Sequence, residues 1–243
     1  MYDRYLGGSH NFAADRAIAD RAIELVPDIP RIARANRAFL RRAVRYAAGR
    51  GIRQFLDIGS GIPTEGNVHE VARALDPGAR VVYVDVDPTA AVHARQLLAG
   101  DPLTAVVQAD LHEAERILRD PEVETLLDLT EPVCLLMVAM LHFVPDTPEL
   151  RSAMRVLHSA LAPGSVLAVS HATAAAQRLA DLYTRAGTSM VVRDRGELAA
   201  LLAGWAPVEP GIVWGPLWRP DPDAGPTGDP ESYATLVAVA ERT

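Results

Sequence analysis

The chain has 243 residues, 49% hydrophobic and 5% aromatic, with a formal net charge of −7; this supports one domain with a sizeable core made largely of Ala, Val and Leu. An acidic chain with no apolar run near the ~18 residues of a membrane span, and a charged start Met1-Tyr2-Asp3-Arg4 unlike a signal peptide, points to a cytoplasmic protein without nucleic-acid or membrane partners. All 24 Lys/Arg positions are arginine, which excludes Schiff-base chemistry and the lysine of a standard P-loop.

After Gly7-Gly8, Ser9 or Asn11 is placed to cap a helix running to about Val26, and Pro27-Asp28-Ile29-Pro30 breaks it. A second helix carries Ile32, Ala35, Phe39, Leu40, Ala43, Val44 and Ala47 on one face and stops near Gly49-Arg50-Gly51. Arg31, Arg34, Arg37, Arg41, Arg42 and Arg45 recur at three- to four-residue spacing, which reads as the polar face of that amphipathic helix rather than a basic patch. From residue 52 strands alternate with helices: strands over 52–58, 80–85, 105–110, 133–140 and 166–170, and helices over 67–75, 88–98, 113–119 and 148–161. Asn67 with Glu70 makes a capping pair. Cys134, alone, sits in the apolar run after Val133 and reads as a small hydrophobe.

The tail departs from this alternation. Helices are expected over 173–186 and 195–202, then strands over 208–214 and 233–239 joined by the Pro/Gly-rich stretch 215–230, the least regular part of the chain. Two strands with no helix between them predict an antiparallel hairpin closing one edge of the sheet. The expected fold is thus α/β, a doubly wound, mostly parallel sheet within one domain over 1–243, with residues 1–50 as a helical cap or lid and 51–243 as the core.

In such a sheet ligands bind beyond the carboxyl ends of the strands, where strand order reverses. Those ends carry Asp57-Ile58-Gly59-Ser60-Gly61, then Asp85-Val86-Asp87, then Asp110-Leu111, then Met140-Leu141-His142. Gly59 and Gly61 permit a sharp turn and close backbone approach to a ligand. A nucleoside lying across these ends gives Asp85 both ribose hydroxyls, since an ionised carboxylate only accepts, and gives Asp110 an exocyclic amino group. Val86 and Leu111 offer apolar surface to the base. Taken singly, Asp85 also reads as a turn residue and Asp110 as a helix cap; the conjunction carries the inference. A dinucleotide site wants a third glycine where Thr64 stands, and Asp57 would set a negative charge near a pyrophosphate; a cationic sulfonium with an amino group suits the acidic set better, which favours S-adenosylmethionine over NAD.

At these residues a family resemblance emerges. FLDIGSG at 55–61, VVYVDVDP at 81–88 and VVQAD at 106–110 look like the cofactor motifs of class I S-adenosylmethionine-dependent methyltransferases. With YLGGSHNFAADR at 5–16, ARANRAFLRRAV at 33–44, FLDIGSGIPTEGNVHEVA at 55–72, LHFVPD at 141–146 and LAPGSVLAVSHAT at 161–173, the chain resembles, over nearly its whole length, an actinobacterial S-adenosyl methyltransferase family formerly classed as a domain of unknown function. The resemblance implies a seven-stranded sheet with an antiparallel last strand and N-terminal helices covering the cleft. It also implies that Asp57, Gly59, Ser60 and Gly61 face the methionine part and ribose, Asp85 and Val86 the ribose and adenine, and Asp110 and Leu111 the adenine edge. Members usually carry a short segment before the tyrosine-rich start, whereas this chain begins at Met1-Tyr2-Asp3.

Methyl transfer needs a general base only if the acceptor is protonated, so no strong catalytic signature is required. His142 and His171, at the ends of the fourth and fifth strands, are the candidates for a base; each also reads as a residue that shapes the cleft. Tyr5, His10 and Asn11 in the lid are candidates to touch the acceptor or the methionine carboxylate, and Glu65 lies within reach. His69 and His93 lack partners at metal-ligand spacing, so no metal is expected. The reading is a methyltransferase for a small-molecule acceptor; the alternatives are a non-methylating S-adenosylmethionine binder and an NAD-linked oxidoreductase.

Overall fold

A computed structural model of the protein describes residues 2–8, 13–63, 66–222 and 228–243. Three helices come first: α1 (Tyr2–Tyr5), α2 (Ala13–Leu25) and α3 (Ile29–Gly49), the last with Pro30 in its first turn, where a missing N–H costs nothing. The alternating part follows as β1 (Gln54–Ile58), α4 (Val68–Arg73), β2 (Arg80–Asp85), α5 (Pro88–Leu97), β3 (Thr104–Gln108), α6 (Ala114–Leu118), α7 (Pro121–Leu126), β4 (Cys134–Val138), α8 (Pro148–Ala160) and β5 (Val166–Ala172). The tail holds α9 (Gln177–Arg185), α10 (Arg195–Leu201), β6 (Trp205–Pro207), β7 (Val213–Trp214) and β8 (Thr235–Arg242). Local chemistry sets the helix starts. The Glu70 carboxylate accepts from the Asn67 N–H at 3.0 Å, as the capping pair predicts, and Asp87 accepts from the Thr89 N–H at 2.8 Å to begin α5.

The strands form one sheet in the order β3-β2-β1-β4-β5-β8-β6, with β7 also paired to β8. β1 to β5 are parallel and β8 runs antiparallel to its neighbours. Strand order therefore reverses between β1 and β4, the switch point at which open α/β sheets bind ligands. The sheet has 8 strands rather than the expected seven. The unexpected one, β6, is three residues long and ends in Pro207, too short for a period to be read. The expected hairpin forms, Val213 opposite Val237 and Trp214 opposite Leu236, but the last strand does not close the edge. β8 pairs with β5 along one side, while β6 and β7 share its other side.

Successive strand residues feed opposite layers, as the period of two requires. Leu56, Leu135, Met137 and Leu167 pack with α6, α7, α8 and α10 on one face. Phe55, Cys134, Leu136 and Val166 pack on the other with α4, α5 and Phe39, Leu40, Ala43, Val44 and Ala47 of α3. Much of α3 is thus buried against the sheet, and only the earlier part of the segment 1–50 lies over the cleft. Arg42 is not on the polar face: it is buried, and its Nε and Nη2 each donate at 2.8 Å, to the Trp218 and Gly215 carbonyls. Fully buried Trp218 meets Phe39 and Tyr46 edge-on at 5.5 and 5.8 Å. The start of the Pro/Gly-rich stretch is therefore anchored on α3. Among the described residues no helix is long and apolar enough to cross a membrane.

Candidate functional site

A cavity of about 570 Å³ opens at the switch point and runs beneath α1 and α9. All eight residues expected to hold the cofactor line it: Asp57 in β1 with Gly59, Ser60 and Gly61 just after it, Asp85 ending β2 with Val86 after it, and Asp110 and Leu111 after β3.

The glycine turn is pinned to the end of β2. The N–H groups of Gly59 and Ser60 both donate to the Val84 carbonyl, at 2.8 and 3.1 Å, and the Gly61 N–H donates to Asp85 Oδ2 at 2.7 Å. Asp85 Oδ1 accepts from the Asp87 N–H at 2.9 Å. Each oxygen thus has one backbone donor and a lone pair to spare, which leaves room for two ligand hydroxyls. Burial pushes the Asp85 carboxyl above the usual carboxylate range, against these hydrogen bonds. The two glycines serve different ends. Gly59, at φ +73°, has no room for a side chain because a Cβ would lie 2.4 Å from Met140 Cβ, beyond β4, so packing requires it. Gly61, at φ +64°, faces open space.

Asp57 is buried, and its carboxylate makes no hydrogen bond among the described residues. Burial raises its pKa to about 7, with Arg37 opposing the shift and Asp85 adding to it. Asp110 Oδ1 accepts from the His112 N–H at 2.8 Å and meets His112 Nδ1 at 2.7 Å, so it caps the following turn while facing the cavity. Val86 is 61% exposed at the cavity, and Leu111 is buried.

The far end is built from the segments after β4 and β5 and from α9. Ala139 takes φ +61°, unusual for a residue with a Cβ, and its N–H donates to Ser170 Oγ at 2.8 Å. Such outliers gather at ligand sites because the surrounding packing must enforce them. His142 lines the cavity, and its buried Nδ1 has no hydrogen-bond partner. Burial lowers its pKa to about 3, with His171 and Arg193 adding to the effect. His171 is not brought to the cavity. Arg193 Nη1 donates to its Nε2 at 2.6 Å, so Nδ1 carries the proton and donates to the Ala172 carbonyl at 2.8 Å. Its pKa falls to about 4, chiefly through burial, and both nitrogens are engaged in holding structure.

α1 brings Tyr5 to the cavity, and its hydroxyl lies 2.6 Å from that of Tyr183 on α9, both buried. His10, Asn11, Thr64 and Glu65 lie outside the described residues. His69, which the sequence placed in no metal-ligand cluster, meets the Tyr83 hydroxyl through Nδ1 at 2.7 Å. Among the lining residues that the sequence did not single out as site residues are Tyr2, Asn36, Arg37, Phe143, Tyr183 and Met190. Arg37 was one of six closely spaced arginines, and spacing does not distinguish the one that faces a cavity.

The description S-adenosyl methyltransferase matches residues 1–243, the whole chain. The chain belongs to the S-adenosyl methyltransferase family. S-adenosylmethionine, the cofactor expected from the sequence, is the cofactor of this family. The crystal structure of a candidate methyltransferase from Thermobifida fusca is 39% identical, with a TM-score of 0.92 over 100% of this chain and 93% of that one. A DUF574 family protein from Streptomyces avermitilis is also 39% identical, with a TM-score of 0.93 over 100% and 95%. Magnesium protoporphyrin IX methyltransferase from Synechocystis, solved with bound SAH, shares the fold at 15% identity, with a TM-score of 0.57 over 100% and 92%. No functionally curated protein matches the chain.

Proposed function

We propose that this member of the family transfers a methyl group from S-adenosylmethionine to a small, apolar, uncharged acceptor. The observation that carries the reading is the convergence of all eight cofactor candidates on one cavity at the switch point. In this reading Asp85 takes the ribose hydroxyls with its two remaining lone pairs, Val86 and Leu111 flank the base, and Asp110 receives its amino group through the oxygen not used in capping. Asp57 faces the cationic end of the methionine part, with Ser60 and Gly61 beside it. These residues fit a nucleoside joined to an amino acid, and a volume of about 570 Å³ lies within the ordinary range for such ligands.

When bound, the cofactor supplies an activated methyl carbon and a neutral thioether leaving group. The chain's part is to bind, orient and exclude water. At the acceptor end the walls are Phe143, Leu179, Tyr183 and Met190, with no charged side chain from α9 or the β4 and β5 ends. His142 there is neutral and a weak base, so it orients an acceptor by hydrogen bonding rather than by taking its proton. The α1–α9 contact through Tyr5 and Tyr183 closes this end from water.

Titration calorimetry with S-adenosylmethionine, S-adenosylhomocysteine and NAD tests the cofactor assignment; binding of NAD alone would sink it. Incubation of labelled S-adenosylmethionine with extracts then tests transfer. Tight cofactor binding without any labelled product would favour a non-methylating binder instead.

A further inference from the structure

The arginines of α3 differ in what holds them. Arg31 pairs with Asp28 at 3.2 Å, Arg45 with Asp221 at 2.5 Å, and Arg42 is fixed by two backbone carbonyls. Arg37 lines the cavity and makes no hydrogen bond or ion pair among the described residues, and its Nε is buried without an acceptor. Its guanidinium carbon lies 5.8 Å from the centroid of the Tyr2 ring. Arg37 is half-buried, and a guanidinium whose buried Nε meets no acceptor among the described residues is costly in a folded protein, so its place facing a cavity points to a ligand that supplies an anion.

Groups of opposite character share the same cavity. Asp57 makes no hydrogen bond of its own and feels Arg37 only through space. Asn36, next to Arg37, donates through Nδ2 to the Tyr2 hydroxyl at 2.9 Å, and Tyr2 donates on to the Ala33 carbonyl at 3.1 Å. This chain fixes the Asn36 amide and leaves its Oδ1 buried without a partner. An unmatched cation thus shares a cavity with two unmatched acceptors, one of them a carboxylate. That is the complement of an α-amino acid, whose carboxylate accepts and whose ammonium donates.

We propose that Arg37 binds the carboxylate of the amino-acid end of the S-adenosyl cofactor, with Asp57 and Asn36 Oδ1 receiving its ammonium group. The assignment rests on the cofactor reading above and adds a residue from the N-terminal helices to a site otherwise made by strand ends. It makes α3 a specificity element: ligands with the nucleoside and sulfur but no amino acid gain nothing from Arg37.

The test is titration calorimetry of the full chain with S-adenosylhomocysteine and with 5′-methylthioadenosine, which keeps the nucleoside and thioether but lacks the amino-acid end. Arg37→Met, which keeps an unbranched apolar stem, is expected to weaken S-adenosylhomocysteine by about 10- to 100-fold, the range for losing a charged hydrogen bond. It leaves methylthioadenosine within about twofold, because that ligand lacks the groups Arg37 would meet. Arg37→Lys keeps the charge but not the paired donors, so its loss is intermediate. A wild-type affinity for S-adenosylhomocysteine in Arg37→Met overturns the assignment while the cofactor reading stands. Equal weakening of both ligands also overturns it, by making Arg37 a general support of the lid. Wild-type protein that binds neither ligand overturns the cofactor reading, and this assignment with it.

Discussion

The Asp85 carboxylate accepts the Gly61 N–H at 2.7 Å, so the residue proposed to hold a ribose also pins the glycine turn at the cavity. Removing the carboxylate therefore removes two things. We expect Asp85→Ala to weaken S-adenosylhomocysteine binding by about 1.5–3 kcal/mol through lost charged hydrogen bonds. Asp85→Asn, which keeps one acceptor oxygen, loses less. Calorimetry on both variants checks this, and unchanged affinity in Asp85→Ala would count against the ribose assignment.

Asp57 should make the ligand-free protein less stable as pH rises. Its folded-state pKa of about 7 stands above the ordinary carboxylate value of 3.8, chiefly through burial. Between these values the folded state holds a proton that the unfolded state has released, so stability falls with rising pH across that window and the penalty is complete above it. The group's whole contribution is about 4 kcal/mol at most. Asp57→Asn has no such proton, so it should gain on wild type between about pH 5 and about pH 8 in urea denaturation. If the two respond to pH in parallel, Asp57 is not the source. In wild type, binding a ligand with an ammonium group near neutral pH should release a proton, seen as a buffer-dependent enthalpy.

The two site glycines should respond unequally to alanine. Gly61→Ala meets open space and costs only the left-handed backbone, about 1–2 kcal/mol. Gly59→Ala adds a collision with Met140 and should cost about 1–3 kcal/mol more. Urea midpoints of the ligand-free variants decide; an equal loss would mean that Met140 yields freely.

Neither candidate histidine should titrate near neutral pH. Burial sets His142 at about 3 and His171 at about 4, below the ordinary value of 6.5. Ring resonances in NMR are expected to stay those of neutral imidazole from about pH 8 to about pH 5.5. A midpoint within or above this range for His142 would restore it as a base.

Arg42→Met strips the partners from two carbonyls and should destabilise the protein by about 2 kcal/mol or more. Arg45→Met, which loses a half-exposed ion pair with Asp221, should cost under about 1 kcal/mol. Thermal melts of the two variants compare a buried clamp with a surface pair.

The parallel strands and the helices between them were legible because burial on a sheet face and a helix face leaves local periods of two and about 3.6. Cys134, Leu135, Leu136 and Met137 show this, splitting alternately between the two layers. The residues proposed to hold the cofactor were legible because they stand at or just after strand ends, and parallel strands bring those ends to one side. β6 was not legible, and neither was α7: both are too short to establish a period.

The sequence by itself determined the sheet, its antiparallel last strand and the family, for these rest on local patterns and short motifs. Only the tertiary structure decided what each charge does. Arg37 and Arg42 sit on one helix with similar spacing, yet one faces a cavity and the other clamps carbonyls 173 and 176 residues away. His171 lies near the end of β5 and His142 follows β4, yet Arg193 occupies the first and leaves the second facing the cavity. A side chain's period records which way it points, whereas its charge state and partner depend on groups that only folding brings near.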